Sequence, residues 1–234
     1  MICRVLLGAV LAGGLAIGAA APGTAAASSD REIARAGVLV RSDFPAGWRS
    51  STRGQTSDAA LDAATARVAS CDPFVAFTKL NRKNPRAKSP NFDHDQSNVT
   101  NAVSVYPSTA KAVTAIETLA DSRLPDCYQR VYSSVTEQQL AKNKKYADEI
   151  ASVDTSIAPV SDVRIGDQAV AYQGTISVTF KDGSRQTIGV GIASARVGDA
   201  VVGYSWTSDA DISATLQPAI VKSVARLQRA QSAR

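Results

Sequence analysis

The chain has 234 residues, of which 44% are hydrophobic and 20% charged, and it carries a formal net charge of +5. This length and apolar content suit a fold with a sizeable core. The basic excess is too small to argue for nucleic acid, and it favours anionic surroundings such as phosphate-rich envelope polymers or acidic lipid head groups.

Residues 1–27 read as an export signal. Arg4 supplies a positive start, Val5 to Ala20 is uncharged and apolar, and Pro22-Gly23 breaks the run before Ala25-Ala26-Ala27. That is an A-x-A cleavage pattern, which places the cut between Ala27 and Ser28. The alternative is a retained anchor, but the apolar run is shorter than the roughly 20 residues that span a bilayer. Cys3 lies before the run, so lipid attachment after it is not expected. No later stretch is long and apolar enough to serve as a membrane anchor. Residues 28–234 are then read as one secreted domain.

Cleavage leaves Cys71 and Cys127. Two cysteines in an oxidising compartment most simply form a disulfide. The alternative, a nucleophilic thiol, would want a histidine partner, and His94 is the only one in the chain.

Residues 28–57 are polar around one apolar island, Val38-Leu39-Val40. Asp43-Phe44-Pro45-Ala46-Gly47-Trp48 indicates a turn, with Phe44 and Trp48 pinning it to the core. Leu61, Ala64, Val68 and Cys71 recur at helical spacing and predict a helix over 58–71. Asp72-Pro73 opens a short second helix carrying Phe74, Phe77 and Leu80. Residues 81–98, with Pro85 and Pro90, read as a long polar loop. Val99 to Tyr106 alternates like a strand. Ser108 can cap a helix bearing Ala112, Val113, Ile116, Leu119 and Ala120. A further helix starts near Asp126 and includes Cys127, Val131 and Val135.

From about residue 163 the texture turns to strands. Arg164-Ile165-Gly166-Asp167-Gln168-Ala169-Val170-Ala171-Tyr172 is echoed by Arg196-Val197-Gly198-Asp199-Ala200-Val201-Val202-Gly203-Tyr204. Gly-Asp is turn chemistry leading into a strand, and Lys181-Asp182-Gly183-Ser184 is a hairpin signal. Residues 163–207 therefore predict about four antiparallel strands. Asp211 opens a terminal helix with Ile212, Leu216, Ile220, Val224 and Leu227 on one face and Pro218 inside. The expected class is α+β: a mainly antiparallel β-sheet packed with helices, with one disulfide.

Candidate site residues fall into four sets. Asp93-His94-Asp95 surrounds the only histidine with acids, but adjacent side chains do not converge by default, and a zinc site wants three or four ligands. The stretch Lys79, Arg82, Lys83, Arg86 and Lys88 could attract an anion, with a second cluster at Lys142, Lys144 and Lys145. Trp48, Tyr106, Tyr172, Tyr204 and Trp206 could line a ligand cleft. Paired carboxylates could support hydrolysis wherever two meet in space. No G-x-S-x-G, P-loop or dinucleotide fingerprint is present, so no catalytic residue, metal or cofactor is expected. Asn98-Val99-Thr100 is a glycosylation sequon.

Several of these stretches together resemble the exported sensor-type domains of actinobacteria typified by the PknH extracellular domain. The carrying features are Asp43 to Trp48, Cys71 ending a helix, the strand Ala102 to Tyr106 followed by an Ala-rich helix and Cys127, and the two Gly-Asp turns before strands. The resemblance spans most of residues 37–230. It implies an antiparallel sheet packed with helices around a cleft, with a ligand-sensing role and no catalysis. Kinase-linked members commonly carry two disulfides, where this chain can form one, and no kinase domain accompanies it. The PsbP-like lipoproteins are an alternative for the fold. The expected function is a secreted, non-enzymatic binding module for an apolar or anionic envelope-derived ligand; a carboxylate hydrolase and a pocketless protein-interaction module are the rivals.

Overall fold

A computed structural model describes residues 25–51, 63–143 and 148–234. The expected export signal therefore lies outside the described residues up to residue 24, as do Leu61, Lys144 and Lys145.

Among the described residues, the strands belong to one antiparallel sheet. They are β1 (Arg49–Ser51), β2 (Arg86–Lys88), β3 (Asn91–His94), β4 (Ser97–Val105), β5 (Ile150–Pro159), β6 (Gln168–Phe180), β7 (Arg185–Val197) and β8 (Ala200–Ser208). The order is β1-β3-β4-β8-β7-β6-β5, with β2 pairing β4 beside β3. The expected class, α+β with a mainly antiparallel sheet, is what the chain adopts.

Helices cover both faces. On one face lie α1 (Ala25–Ala36) and α5 (Ser213–Ser232); on the other lie α2 (Asp72–Asn81), α3 (Thr109–Leu119) and α4 (Leu124–Lys142). The alternation of side chains along each strand divides the core in two. Val99, Val103, Val202, Tyr204 and Ala195 pack under α5 and α1 with Leu216, Ile220 and Leu227. Ile176, Val178, Ile188 and Val190 pack under α4 with Tyr128, Val131 and Tyr132.

Local chemistry explains most elements. Pro73 sits in the first turn of α2 and Pro125 in the first turn of α4, where a missing N–H costs nothing. The Ser108 hydroxyl accepts the Lys111 N–H at 3.3 Å and caps α3 as expected. Gly183, at φ +84°, closes the β6–β7 hairpin. Gly198-Asp199 makes a two-residue turn between β7 and β8. The Asp167 carboxylate of the first repeat accepts the Gly198 N–H of the second at 2.7 Å, so one copy braces the other.

Several expectations need correction. Residues 81–98 do not form a loop: they hold β2 and the hairpin of β3 and β4, which turns through Asp95 at φ +51°. Short strands interrupted by Pro90 carry too little alternation to show as strands. The helix expected over 58–71 ends at residue 65 in its described part, and Cys71 closes a separate 3₁₀ turn, Ala69–Cys71. α1 was not expected, because its polar sequence is held as a helix by packing against α5, β2 and β4, which sequence alone does not show. The region 163–207 holds three strands, because β6 runs unbroken through Gly174, and β5 precedes them. Leu80 (45%) is exposed, although its spacing suggested a core position, and Ala120 is exposed too.

Two locks hold the covers together, one on each face of the sheet. Cys71 and Cys127, both fully buried, are bridged with their Cα atoms 4.8 Å apart, joining the start of α2 to the first turn of α4. On the other face Arg226 of α5 donates to Asp43 at 2.6 and 2.8 Å, to Val38 O at 2.8 Å and to Ala36 O at 3.1 Å. Asp43 is buried and also accepts the Val40 N–H. One guanidinium thus anchors the whole segment from α1 to the Phe44–Trp48 turn. Phe44 in turn stacks on Trp48 at 4.8 Å and meets Phe92 at 4.7 Å, as the turn reading required.

Both locks give measurable expectations. Replacing Cys71 and Cys127 together by Ala opens a loop with a sequence separation of 56 residues and should lower stability by about 4 kcal/mol in the chain-entropy model, read from chemical denaturation midpoints. Arg226→Ala leaves a buried carboxylate without its partner and should cost about 3–5 kcal/mol in the same assay.

Candidate functional site

The covering helices leave a concavity over the middle of the sheet, with a volume of about 100 Å³. Its floor comes from three adjacent strands: Thr100, Ala102 and Ser104 of β4, Val201, Gly203 and Ser205 of β8, and Ile192 and Ser194 of β7. These share one face because Thr100 pairs with Ser205, Ala102 with Gly203, and Ser194 with Gly203 in the register. Its roof is Phe74, Phe77, Thr78 and Asn81 of α2, Leu119 at the end of α3, and Tyr128 of α4. Phe74 and Tyr128 meet edge to face at 5.7 Å, which makes the roof a rigid aromatic surface.

The floor is unusual in being hydroxylic. Ser104, Ser194 and Ser205 are all buried. The Ser205 Oγ is buried and has no hydrogen-bond partner, and the same holds for Thr207 Oγ1 and Asn98 Oδ1 next to it in the β4–β8 register. A buried hydroxyl without a partner is destabilising by about 1–3 kcal/mol. Gly203 keeps the floor low: a Cβ there would meet only the Ser194 Oγ, at 3.6 Å.

Charge lies at the edge. Ala87 packs into the core under α1 and α5, so its neighbours Arg86 and Lys88 lie on the concavity's side of the sheet. They pair with Ser104 and Ala102, one strand from the floor. Both are half-buried on β2, while Lys79, Arg82 and Lys83 are exposed at the end of α2 and just after it. The basic stretch read from the sequence is therefore gathered beside the concavity by α2 and β2. Lys142, from the second basic cluster, ends α4.

The predicted aromatic set is divided between the two faces. Tyr172 is buried under α4 with its OH donating to Leu119 O at 2.8 Å, and Tyr106 donates to Asn81 Oδ1 at 3.3 Å. Tyr204 lines the concavity, but its ring lies in the opposite core, where its OH meets Ser223 Oγ at 2.7 Å. Trp206 lies flat over Gly191, where any Cβ would strike the indole. Trp48 is buried and stacks on His94 at 5.6 Å. The concavity's own aromatics are Phe74, Phe77 and Tyr128. Phe74 and Phe77 were read as core residues, and Tyr128 carried no sequence signal beyond its place beside Cys127. The serines of the floor were missed because single serines on alternating strands look like solvent-facing positions.

Asp93, His94 and Asp95 do not converge. His94 turns to Trp48, Asp93 accepts from the Asn98 amide on the other face, and Asp95 is exposed in the turn. Asn98 of the sequon is buried, with its amide nitrogen engaged by Asp93. Among the described residues, no three His, Cys, Asp or Glu side chains come together, and no carboxylate lines the concavity. The two acids near the start of α4 are held by their own arginines, Asp121 by Arg123 and Asp126 by Arg130, each at 2.9 Å.

Among solved structures, the chain is similar to the extracellular domain of PknH from Mycobacterium tuberculosis, at 14% identity and a TM-score of 0.39, over 69% of this chain and 76% of that one. No family model matches the chain, and no curated protein does.

Burial sets the proton affinity of the phenols around the concavity. It pushes Tyr172 up to about 12, with Asp121 adding to the rise, and it raises Tyr128 and Tyr106 well beyond the ordinary phenol range. A group whose affinity for its proton is higher folded than unfolded contributes stability below its unfolded value, and that contribution is lost as pH climbs through the folded one. Stability should therefore hold up to about pH 10 and fall steeply above it. Absorbance at 295 nm should show these tyrosines ionising only as the protein unfolds.

Proposed function

We propose that the chain is an exported, non-enzymatic binding module, which holds a small apolar or anionic ligand in the concavity between α2–α4 and the β4-β8-β7 floor. The observation that carries this reading is the Ser205 hydroxyl, buried without a partner in the floor of a concavity roofed by aromatic rings. An unsatisfied buried donor calls for a partner, and a ligand in the concavity would supply one to Ser205.

The lining supports holding over cleaving. A serine nucleophile needs an adjacent base, and the ionisable side chains of the lining are phenols, Tyr128 at the roof and Tyr204 at the floor, both held neutral by burial. Among the described residues, the large apolar side chains that reach solvent, Val40, Leu80, Val160 and Val221, stand on separate segments and form no single stripe, which disfavours a flat docking face. Export rests on residues 1–27 and is supported by the closed Cys71–Cys127 pair, which suits an oxidising compartment. Among the described residues no helix is long and apolar enough to cross a membrane. The setting proposed is the cell envelope or the space beyond it.

The test is a thermal-shift screen of residues 28–234 against fatty acids, phospholipids, envelope glycans and their phosphorylated forms. A ligand at about one hundred times its Kd stabilises by about 2.7 kcal/mol, which for a chain of this size raises Tm by roughly 5–10 °C. Gly203→Val fills the floor and should leave the ligand-free Tm intact while removing the shift. Absence of stabilisation by every class would end the proposal.

A further inference from the structure

We infer that the chain carries a second binding surface, for a neutral sugar chain, on the sheet face opposite the concavity, with the Trp206 indole as its platform. This surface is separate from the concavity and does not depend on it.

The covers leave this surface open. α5 meets β7 at its Val197 end, where Gln231 donates to Val197 O at 2.8 Å. The helices that contact β5 and β6 are α3 and α4, on the concavity's side. Trp206 packs against the α5 side of the core, so its row faces that side. Trp206 pairs with Gly191, Gly191 with Gln173, and Gln173 with Ala158. In the next row Ser208 pairs with Gly189, Gly189 with Thr175, and Thr175 with Ser156. Gln173, Thr175, Ser156 and, one row further, Thr187 are all exposed. Two glycines shape the surface. A Cβ at Gly191 would come within 2.0 to 2.6 Å of three indole carbons, so the ring lies over bare backbone. The sheet blocks its underside, and the half-buried indole meets solvent from the side turned away. A Cβ at Gly189 would meet only Ser208 O, at 3.3 Å, which leaves a shallow slot bordered by Thr175.

The chemistry of this face selects its occupant. A sugar ring has an apolar C–H face and a rim of hydroxyls. The apolar face can cover an indole. The rim needs groups that donate and accept at once, which the Thr175, Thr187 and Ser156 hydroxyls and the Gln173 amide are. A few polar groups beside an aromatic ring are how small ligands are oriented. The charges that border these rows along the strands, Asp154, Asp209 and Arg185, carry both signs, so no strong field favours an anion or a cation. A protein partner fits poorly. Interfaces are depleted in Ser and centre on clustered aromatic or Arg anchors, whereas these rows hold one indole among small polar side chains.

Titration of residues 28–234 with cellopentaose, maltopentaose and mannopentaose, followed by the indole N–H signals in NMR spectra, tests this. At least one sugar should shift the Trp206 signal and leave that of the buried Trp48 in place. Trp206→Ala should weaken binding by at least about tenfold. Because Trp206 also touches the core, the exposed pair Gln173→Ala with Thr175→Ala is the second variant; it should weaken binding by at least about threefold with Tm unchanged. Gly203→Val, which fills the concavity on the far face, should leave sugar binding intact, and added salt should not alter it. No response to any of the three sugars overturns the inference. Binding unchanged in the exposed-pair variant, or in a folded Trp206→Ala protein, overturns the site, as does binding that Gly203→Val removes. Binding lost in high salt overturns the neutral ligand. Dimerisation that shifts the Trp206 signal without sugar makes a second copy of the chain the occupant and overturns the sugar. Each of these outcomes leaves the concavity to its own screen.

Discussion

Eight consecutive pairs join β4 to β8, from Asn98 opposite Thr207 to Val105 opposite Ala200. That register determines which side chains meet which cover. Val99, Val103 and Val105 go under α5 and α1; Thr100, Ala102 and Ser104 go into the concavity. A slip of one residue would send the valines to the hydroxylic face and the serines into an apolar core. The two covers could then no longer close, because each is fitted to its own side of the sheet. The turn at Gly198-Asp199 sets β8 against β7 and the hairpin at Asp95-Gln96 sets β4 against β3, so two local registers meet along this long-range pair.

The two sides are built to different rules. Under α5 the packing is apolar and its buried polar atoms are paired, with Asn101 meeting Leu39 N and Gly37 O, and Ser223 meeting Tyr204 and Gly37 O. On the other face Ser205 Oγ, Thr207 Oγ1 and Asn98 Oδ1 of β8 and β4 have no such pairing. One sheet therefore has one face whose cited polar atoms are satisfied within the chain and one face that keeps three unpartnered oxygens, Ser205 Oγ among them in the floor of the concavity. The satisfied face, with Arg226 as its clasp, lets the other be less than optimal for stability, a division common where a rigid scaffold carries a site.

The concavity depends on the disulfide as much as on the sheet. Its roof is α2, a helix of only 10 residues, too short to be stable alone. The Cys71–Cys127 bridge fastens the start of that helix to α4, which lies across β5 and β6. Phe74 and Tyr128, one on each side of the bridge, then meet over the floor. Without the bridge, α2 would be held mainly by its contacts with α3 and the loop after it.

Much of this was legible in the chain before any fold was seen. The α+β class, the pairing of the two cysteines, the Ser108 cap, the Asp182-Gly183 hairpin and the apolar face of α5 all follow from local chemistry, which acts over a few residues. What needed the tertiary structure was every question of facing. Tyr172 and Tyr204 occupy the same place in the repeated segment, yet one lies under α4 and the other under α5. They pair with Ile192 and Ala193, adjacent residues of β7 that point to opposite sides. In the same way Ser205 reads as an ordinary polar strand residue until β4, β8 and α2 enclose it. Sequence periodicity states that side chains alternate; only strand pairing, a contact between residues far apart in the chain, decides which of the two sides faces the concavity.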